Sequence, residues 1–87
     1  MYYVYVLQSE TDRFLYIGST GNIKNRINRH NTRYVLATRF RRPLILIFHE
    51  GYIMKSDALR RERYFKTTKG KVALKMMLRD YFKIKNI

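Results

Sequence analysis

Tyr2-Tyr3-Val4-Tyr5-Val6-Leu7 and Phe14-Leu15-Tyr16-Ile17-Gly18 are two apolar runs joined by polar Ser9-Glu10-Thr11-Asp12-Arg13. β-branched and aromatic residues with a polar connection read as two strands of a hairpin. Period-2 geometry puts Tyr3, Tyr5 and Leu7 on one face of the first strand and Val4 and Val6 on the other. In the second strand Phe14, Tyr16 and Gly18 share a face, opposite Leu15 and Ile17. One antiparallel register pairs Leu7 with Phe14, Tyr5 with Tyr16 and Tyr3 with Gly18. It sets two phenols side by side and leaves Gly18 as a place of close approach across from Tyr3.

Working outward, Ser19-Thr20-Gly21-Asn22 is turn and N-cap material, and a helix is expected from about Ile23 to Asn31, with Ile23 and Ile27 inward. Residues 31 to 42 are basic and irregular. Pro43 opens Leu44-Ile45-Leu46-Ile47-Phe48, whose apolar character on both faces predicts a central, doubly covered strand. Gly51 to Lys55 turns the chain, and Ser56 and Asp57 start a second helix reaching about Lys66. Thr67 to Gly70 breaks it. A third helix is expected over about Lys71 to Phe82, with Val72, Ala73, Met76, Met77 and Phe82 inward. The predicted fold is α+β: a small three-stranded mixed or antiparallel sheet flanked by three helices, in the order β-β-α-β-α-α.

The 87 residues suffice for one domain, 1–87, with a modest core, 46% of the chain being apolar. Cysteine is absent, which excludes disulfides and thiolate metal sites. No run is long enough for a membrane span, and polar Gln8 to Arg13 interrupts any signal-peptide core, so a reducing cytoplasm is expected. The charge is lopsided: nineteen Lys and Arg against six Asp and Glu give +13. Seven basic residues and no acid lie between Lys24 and Arg42, and ten basic residues with two acids between Arg60 and Lys85. Such a field captures polyanions, and nucleic acid is the expected partner. The candidate phosphate contacts are Lys24, Arg29, Arg33, Arg39, Arg41, Arg42, Lys66, Lys69 and Lys71.

Glu62 stands among Arg60, Arg61 and Arg63, but its helical neighbours at three and four residues are Ala58, Leu59, Phe65 and Lys66. A carboxylate on a largely apolar stripe needs a cation. That cation is either the ammonium of Lys66 at i+4 or a divalent metal; Mg²⁺ needs few protein carboxylates. The other acids are placed elsewhere, so one ion rather than two is expected.

These pieces together resemble the GIY-YIG nuclease superfamily over nearly the whole chain. Tyr3-Val4-Tyr5 looks like the first signature triplet, with Tyr and Val in place of Gly and Ile, and Tyr16-Ile17-Gly18 matches the second. Arg26 resembles the family's catalytic arginine, His30 a histidine of some members, and Ala58 to Lys66 the segment that supplies a metal-binding glutamate, Glu62. Together with the Thr68-Lys69-Gly70-Lys71 stretch, that segment is most similar to small bacterial stand-alone members related to the excinuclease catalytic domain. The asparagine of some branches has no counterpart, the late Asn being Asn86. The resemblance implies DNA phosphodiester hydrolysis with one Mg²⁺ or Mn²⁺ on Glu62 and Arg26 stabilising developing charge. Tyr5 would be the general base, its phenolate favoured by Arg26 and the metal, with Tyr16 beside it and His30 sharing the base role or binding phosphate. A structure-selective enzyme of repair or recombination type is expected, acting on branched or nicked DNA as a monomer, with a protein partner as a source of specificity. The alternatives are a non-catalytic basic nucleic-acid-binding module and an RNA-associated scaffold.

Overall fold

A computed structural model of the protein describes residues 1–32 and 35–85. Its elements are strands β1 (Tyr2–Ser9), β2 (Leu15–Thr20) and β3 (Leu44–Tyr52), and helices α1 (Ile23–Asn31), α2 (Lys55–Phe65), α3 (Thr68–Met77) and α4 (Arg79–Lys85). A single 3-10 turn, Leu36–Thr38, lies between α1 and β3. No helix among the described residues is long and apolar enough to cross a membrane.

The sheet is antiparallel throughout, in the order β2-β1-β3. β1 is therefore the central strand, and Val4 to Ser9 are all buried. This corrects the expectation for Leu44 to Phe48, which belong to an edge strand. Both faces of β3 are nonetheless covered, which is why it reads as apolar throughout. Leu44 and Leu46 pack with Tyr5 and Leu7 on the α1 side, and Ile47 and Phe48 with Val4 and Val6 on the other. A bulge makes this possible: Val6 pairs with Phe48 but Leu7 with Leu46, so two consecutive β3 residues share a face. β3 also runs on through Gly51 and Tyr52, so the turn begins two residues later than expected.

The hairpin forms as expected, but its register is shifted by two residues. Tyr5 pairs with Gly18, Leu7 with Tyr16 and Tyr3 with Thr20. A two-residue slip keeps every side chain on its predicted face, so the alternation pattern cannot detect it. Val4, Val6 and Ile17 join Ala58, Phe65 and Leu74 in the larger core. On the opposite face Tyr5, Leu7 and Leu44 pack with Tyr16, Ile27 and Leu46.

α1 has its predicted bounds because Asn22 caps it, its side chain accepting from the Asn25 amide. Asn31 ties the far end of α1 to β3 by accepting from Leu44 N and donating to Leu44 O, at 2.8 and 3.0 Å. α2 begins one residue earlier than expected, after Met54, with no side-chain cap from Ser56 or Asp57. The predicted third helix is two helices, α3 and α4, divided at Leu78. Thr67 caps α3 by accepting from the Gly70 amide, so Gly70 lies inside the helix rather than breaking it. A Cβ on Gly70 would stand 2.8 Å from Phe65 Cα, and its absence lets α3 close onto α2. The inward stripe is accordingly Gly70, Leu74 and Leu78, while Val72, Met76 and Met77 are exposed, contrary to the expected phase.

Candidate active site

Tyr5 is the residue around which the site is built. It comes from the middle of the central strand, is 1% exposed, and its ring lies across Gly18. A Cβ at Gly18 would sit 2.6 Å from Tyr5 Cζ and nearer still to the hydroxyl. The close approach therefore serves Tyr5 and not Tyr3, as the slipped register requires. Gly18→Ala is expected to destabilise the fold by about 1–3 kcal/mol, since the enclosed ring has little room to yield. Urea unfolding midpoints measure this, and an unchanged midpoint would contradict the packing.

Arg26 and His30, one turn apart on α1, meet the Tyr5 hydroxyl. Arg26 Nε–H donates to Tyr5 Oη at 3.3 Å, and Tyr5 Oη lies 3.2 Å from His30 Nε2. His30 Nδ1 is in turn 2.8 Å from Thr38 Oγ1, and both of these side chains are fully buried. Arg26 can only donate and takes one lone pair of Tyr5 Oη, which leaves Tyr5 able to donate to His30 Nε2 in the tautomer whose Nδ1–H donates to Thr38. Tyr16 flanks the imidazole edge-on, with ring centroids 4.7 Å apart; Tyr5 and His30 are 6.0 Å apart by the same measure. The two phenols thus border one histidine rather than standing opposite each other across the hairpin.

The electrostatics follow from burial. Burial raises the Tyr5 pKa above 10 and outweighs the hydrogen bond and charge of Arg26, which pull it down. The expected drift of Tyr5 toward phenolate is therefore reversed in the protein alone. His30 falls to about 4, first through burial and then through the charges of Arg26 and Arg29, so it is a neutral proton acceptor at neutral pH. The hydrogen bond to Tyr5 raises Arg26 further, with smaller contributions from Tyr16, and keeps it cationic. Because the folded state depresses the His30 pKa below its ordinary 6.5, the unfolded chain binds more protons between those values. Stability is then complete above about pH 6.5 and falls as pH drops toward 4, by up to about 3 kcal/mol. Denaturant titrations between pH 7 and pH 5 check this above the carboxylate range; a flat profile would contradict it.

Glu62 reaches β2 from α2. Ser19, next to Gly18, donates to Oε1 at 2.6 Å, and Lys66 donates to Oε2 at 2.8 Å. Burial pulls the carboxyl pKa up, but the hydrogen bonds from Lys66 and Ser19 prevail and hold it below the usual range. It is an ionised carboxylate, and its charge is felt at Tyr5, where it adds to the rise. The ion pair with Lys66, one of the two expected partners, is thus present. A cleft of about 240 Å³ lined by Tyr2, Ser19, Thr20, Gly21, Lys55 and Ala58 opens beside Ser19. Among the described residues no three His, Asp or Glu side chains cluster as a ready-made metal cage. An ionised carboxylate with an adjacent hydroxyl, already holding a cation that is half exposed, nevertheless suits a hard divalent ion that keeps most of its waters.

The cationic candidates divide by what they touch. Lys24, Arg29, Lys69 and Lys71 are exposed on α1 and α3. Arg41 pairs with Asp12 at 2.8 Å and lies 3.8 Å over the Phe14 ring, and Arg42 donates to the carbonyls of Arg39 and Asn31. Those two arginines brace the loop. Arg39 is exposed, its guanidinium 4.6 Å from the Phe40 ring centroid. Arg33 lies outside the described residues. Thr38 and Ser19 are the site residues that sequence reasoning misses. Thr38 sits in an aperiodic basic stretch, and Ser19 reads as turn material.

A family model described as the GIY-YIG catalytic domain matches residues 1–76. The chain belongs to the GIY-YIG family. It is 39% identical over 77 residues to a UPF0213 protein of Staphylococcus haemolyticus, covering 87% of this chain and 93% of that one. It is 42% identical over 65 residues to a UPF0213 protein of Streptococcus agalactiae serotype V, covering 74% and 73%. With a UPF0213 protein of Lactiplantibacillus plantarum it shares 41% over 80 residues, covering 87% and 77%. GIY-YIG domains are endonuclease domains, so nucleic-acid phosphodiester hydrolysis is the class of chemistry to which this fold is put.

Proposed function

We propose that the protein is a metal-dependent DNA endonuclease of repair or recombination type, selective for structure rather than sequence and acting as a cytoplasmic monomer. The observation that carries this reading is the hydrogen-bonded chain Arg26–Tyr5–His30–Thr38 beneath Gly18. The Arg26 fork binds a non-bridging phosphate oxygen and holds the charge that builds there as water attacks. Tyr5 takes the proton of the attacking water as its own passes to His30 Nε2, so that no free phenolate need exist beforehand. His30 is suited to receive it, being neutral, in the tautomer whose Nδ1–H donates to Thr38. Glu62, with Ser19 beside it, would hold Mg²⁺ or Mn²⁺, which when bound polarises a phosphoryl oxygen and stabilises the departing alkoxide. Tyr16 keeps the imidazole edge in place.

The Glu62–Lys66 ion pair favours a second reading, a binding module whose acid is permanently answered by lysine. Incubation with branched, nicked and linear DNA in Mg²⁺ or Mn²⁺ separates the two. Metal-dependent strand cleavage supports the nuclease, whereas binding without cleavage under every condition supports the module.

A further inference from the structure

We propose that Leu36 and Phe40 form an apolar wedge that stacks on unpaired bases beside the scissile phosphodiester. This makes DNA with locally unpaired bases the substrate class. The inference deepens the nuclease reading and rests on it. Leu36 is 75% and Phe40 81% exposed, each at the solvent side of the segment that contains Thr38. Single exposed apolar residues are common on protein surfaces. These two differ because their loop is held rigidly and is wired to the candidate site. Thr38 is fully buried against His30, and Phe40 follows it by only two residues, about 7 Å of chain at most.

The far side of the loop is fastened to the hairpin. Ser9 Oγ donates to Arg41 O at 2.6 Å, Thr11 Oγ1 donates to Arg42 O at 2.8 Å, and Glu10 N donates to Pro43 O at 2.9 Å. Arg42 Nε closes the turn on Arg39 O at 3.0 Å. A loop fixed at so many points cannot fold its apolar side chains back into a core, so Phe40 stays at the surface two residues from the Thr38–His30 contact. Arg39 over the Phe40 ring names the chemistry of that ligand: an aromatic face with a cation beside it suits a base and its phosphate. Apolar side chains of this kind enter opened base steps, and an intact duplex would offer them none.

The test is equilibrium binding in EDTA, where cleavage plays no part, using fluorescently labelled short oligothymidylate and a blunt-ended, fully paired duplex of equal length. Phe40→Ala is expected to weaken oligothymidylate binding about tenfold, from loss of one stacked base. Duplex affinity, set by phosphate contacts, should change by less than about twofold. Phe40→Trp should restore single-strand binding. Oligothymidylate affinity unchanged in Phe40→Ala, or an equal loss on both DNAs, would overturn the wedge and leave the patch to a protein partner or to bulk electrostatics. Failure of the protein to cut any DNA would be seen separately, in metal, and would count against the nuclease reading instead.

Discussion

Arg26→Ala is expected to lower single-turnover DNA cleavage by about 10³-fold, the scale on which a lone donor to a developing oxyanion acts. The guanidinium has donors to spare. Its Nε is used by Tyr5, while the terminal amino groups have no protein carboxylate partner among the described residues. It therefore keeps donors for a phosphate while its position is set from behind. Arg26→Lys should recover little, because an ammonium cannot bond Tyr5 and a phosphate oxygen in the same fixed geometry. The fold should survive, since Arg26 is half-buried and outside the apolar cores, its guanidinium bonded to the Tyr5 hydroxyl and drawn more weakly to Tyr16. Cleavage within a few-fold of the wild-type rate, in a variant with wild-type unfolding behaviour, would remove Arg26 from the transition state.

Glu62→Gln should abolish metal-dependent cleavage, a loss of about 10³-fold or more, with DNA binding nearly unchanged. The amide keeps the shape and can still accept from Ser19, so what is lost is the negative charge. The ion pair with Lys66 is partly exposed and contributes no more than about 1 kcal/mol to folding. Binding should be maintained or slightly strengthened, because one acid fewer faces the phosphates. A catalytic loss without a stability loss separates a metal ligand from a structural salt bridge. If Glu62→Gln instead loses stability and keeps its rate, Glu62 is merely the partner of Lys66.

Much of this architecture is legible in residue types. α1 can be read to the residue because an Asn cap, an Ile23–Ile27 pair and a terminal basic turn coincide. The split of apolar and aromatic faces in the hairpin follows from alternation. The register does not, because Tyr5 opposite Gly18 and Tyr5 opposite Tyr16 give the same faces. Central and edge strands are exchanged for a related reason. Helices cover both sides of the sheet, so β3 is apolar on both faces despite having one neighbour. The phase of α3 fails on Gly70, whose small size marks a tight contact with the Tyr64 carbonyl and the Phe65 backbone rather than a break. In the site, Tyr5, Arg26 and His30 are singled out by the resemblance to the GIY-YIG pattern; strand and helix spacing alone would leave them ordinary strand and helix residues. Thr38 joins them only through folding of an aperiodic loop, and Ser19 only through the approach of α2 to β2. Neither encounter leaves a trace in local sequence.

Glu62 is expected to hold a divalent ion near enough to act on Tyr5, whose pKa its charge already raises, and this can be tested without the right DNA in hand. Paramagnetic Mn²⁺ added in small amounts to isotopically labelled protein should selectively broaden the NMR signals of Ser19, Gly18 and the Tyr5 ring, and Glu62→Gln should abolish that broadening. Broadening centred elsewhere, or the same pattern in Glu62→Gln, would contradict the account.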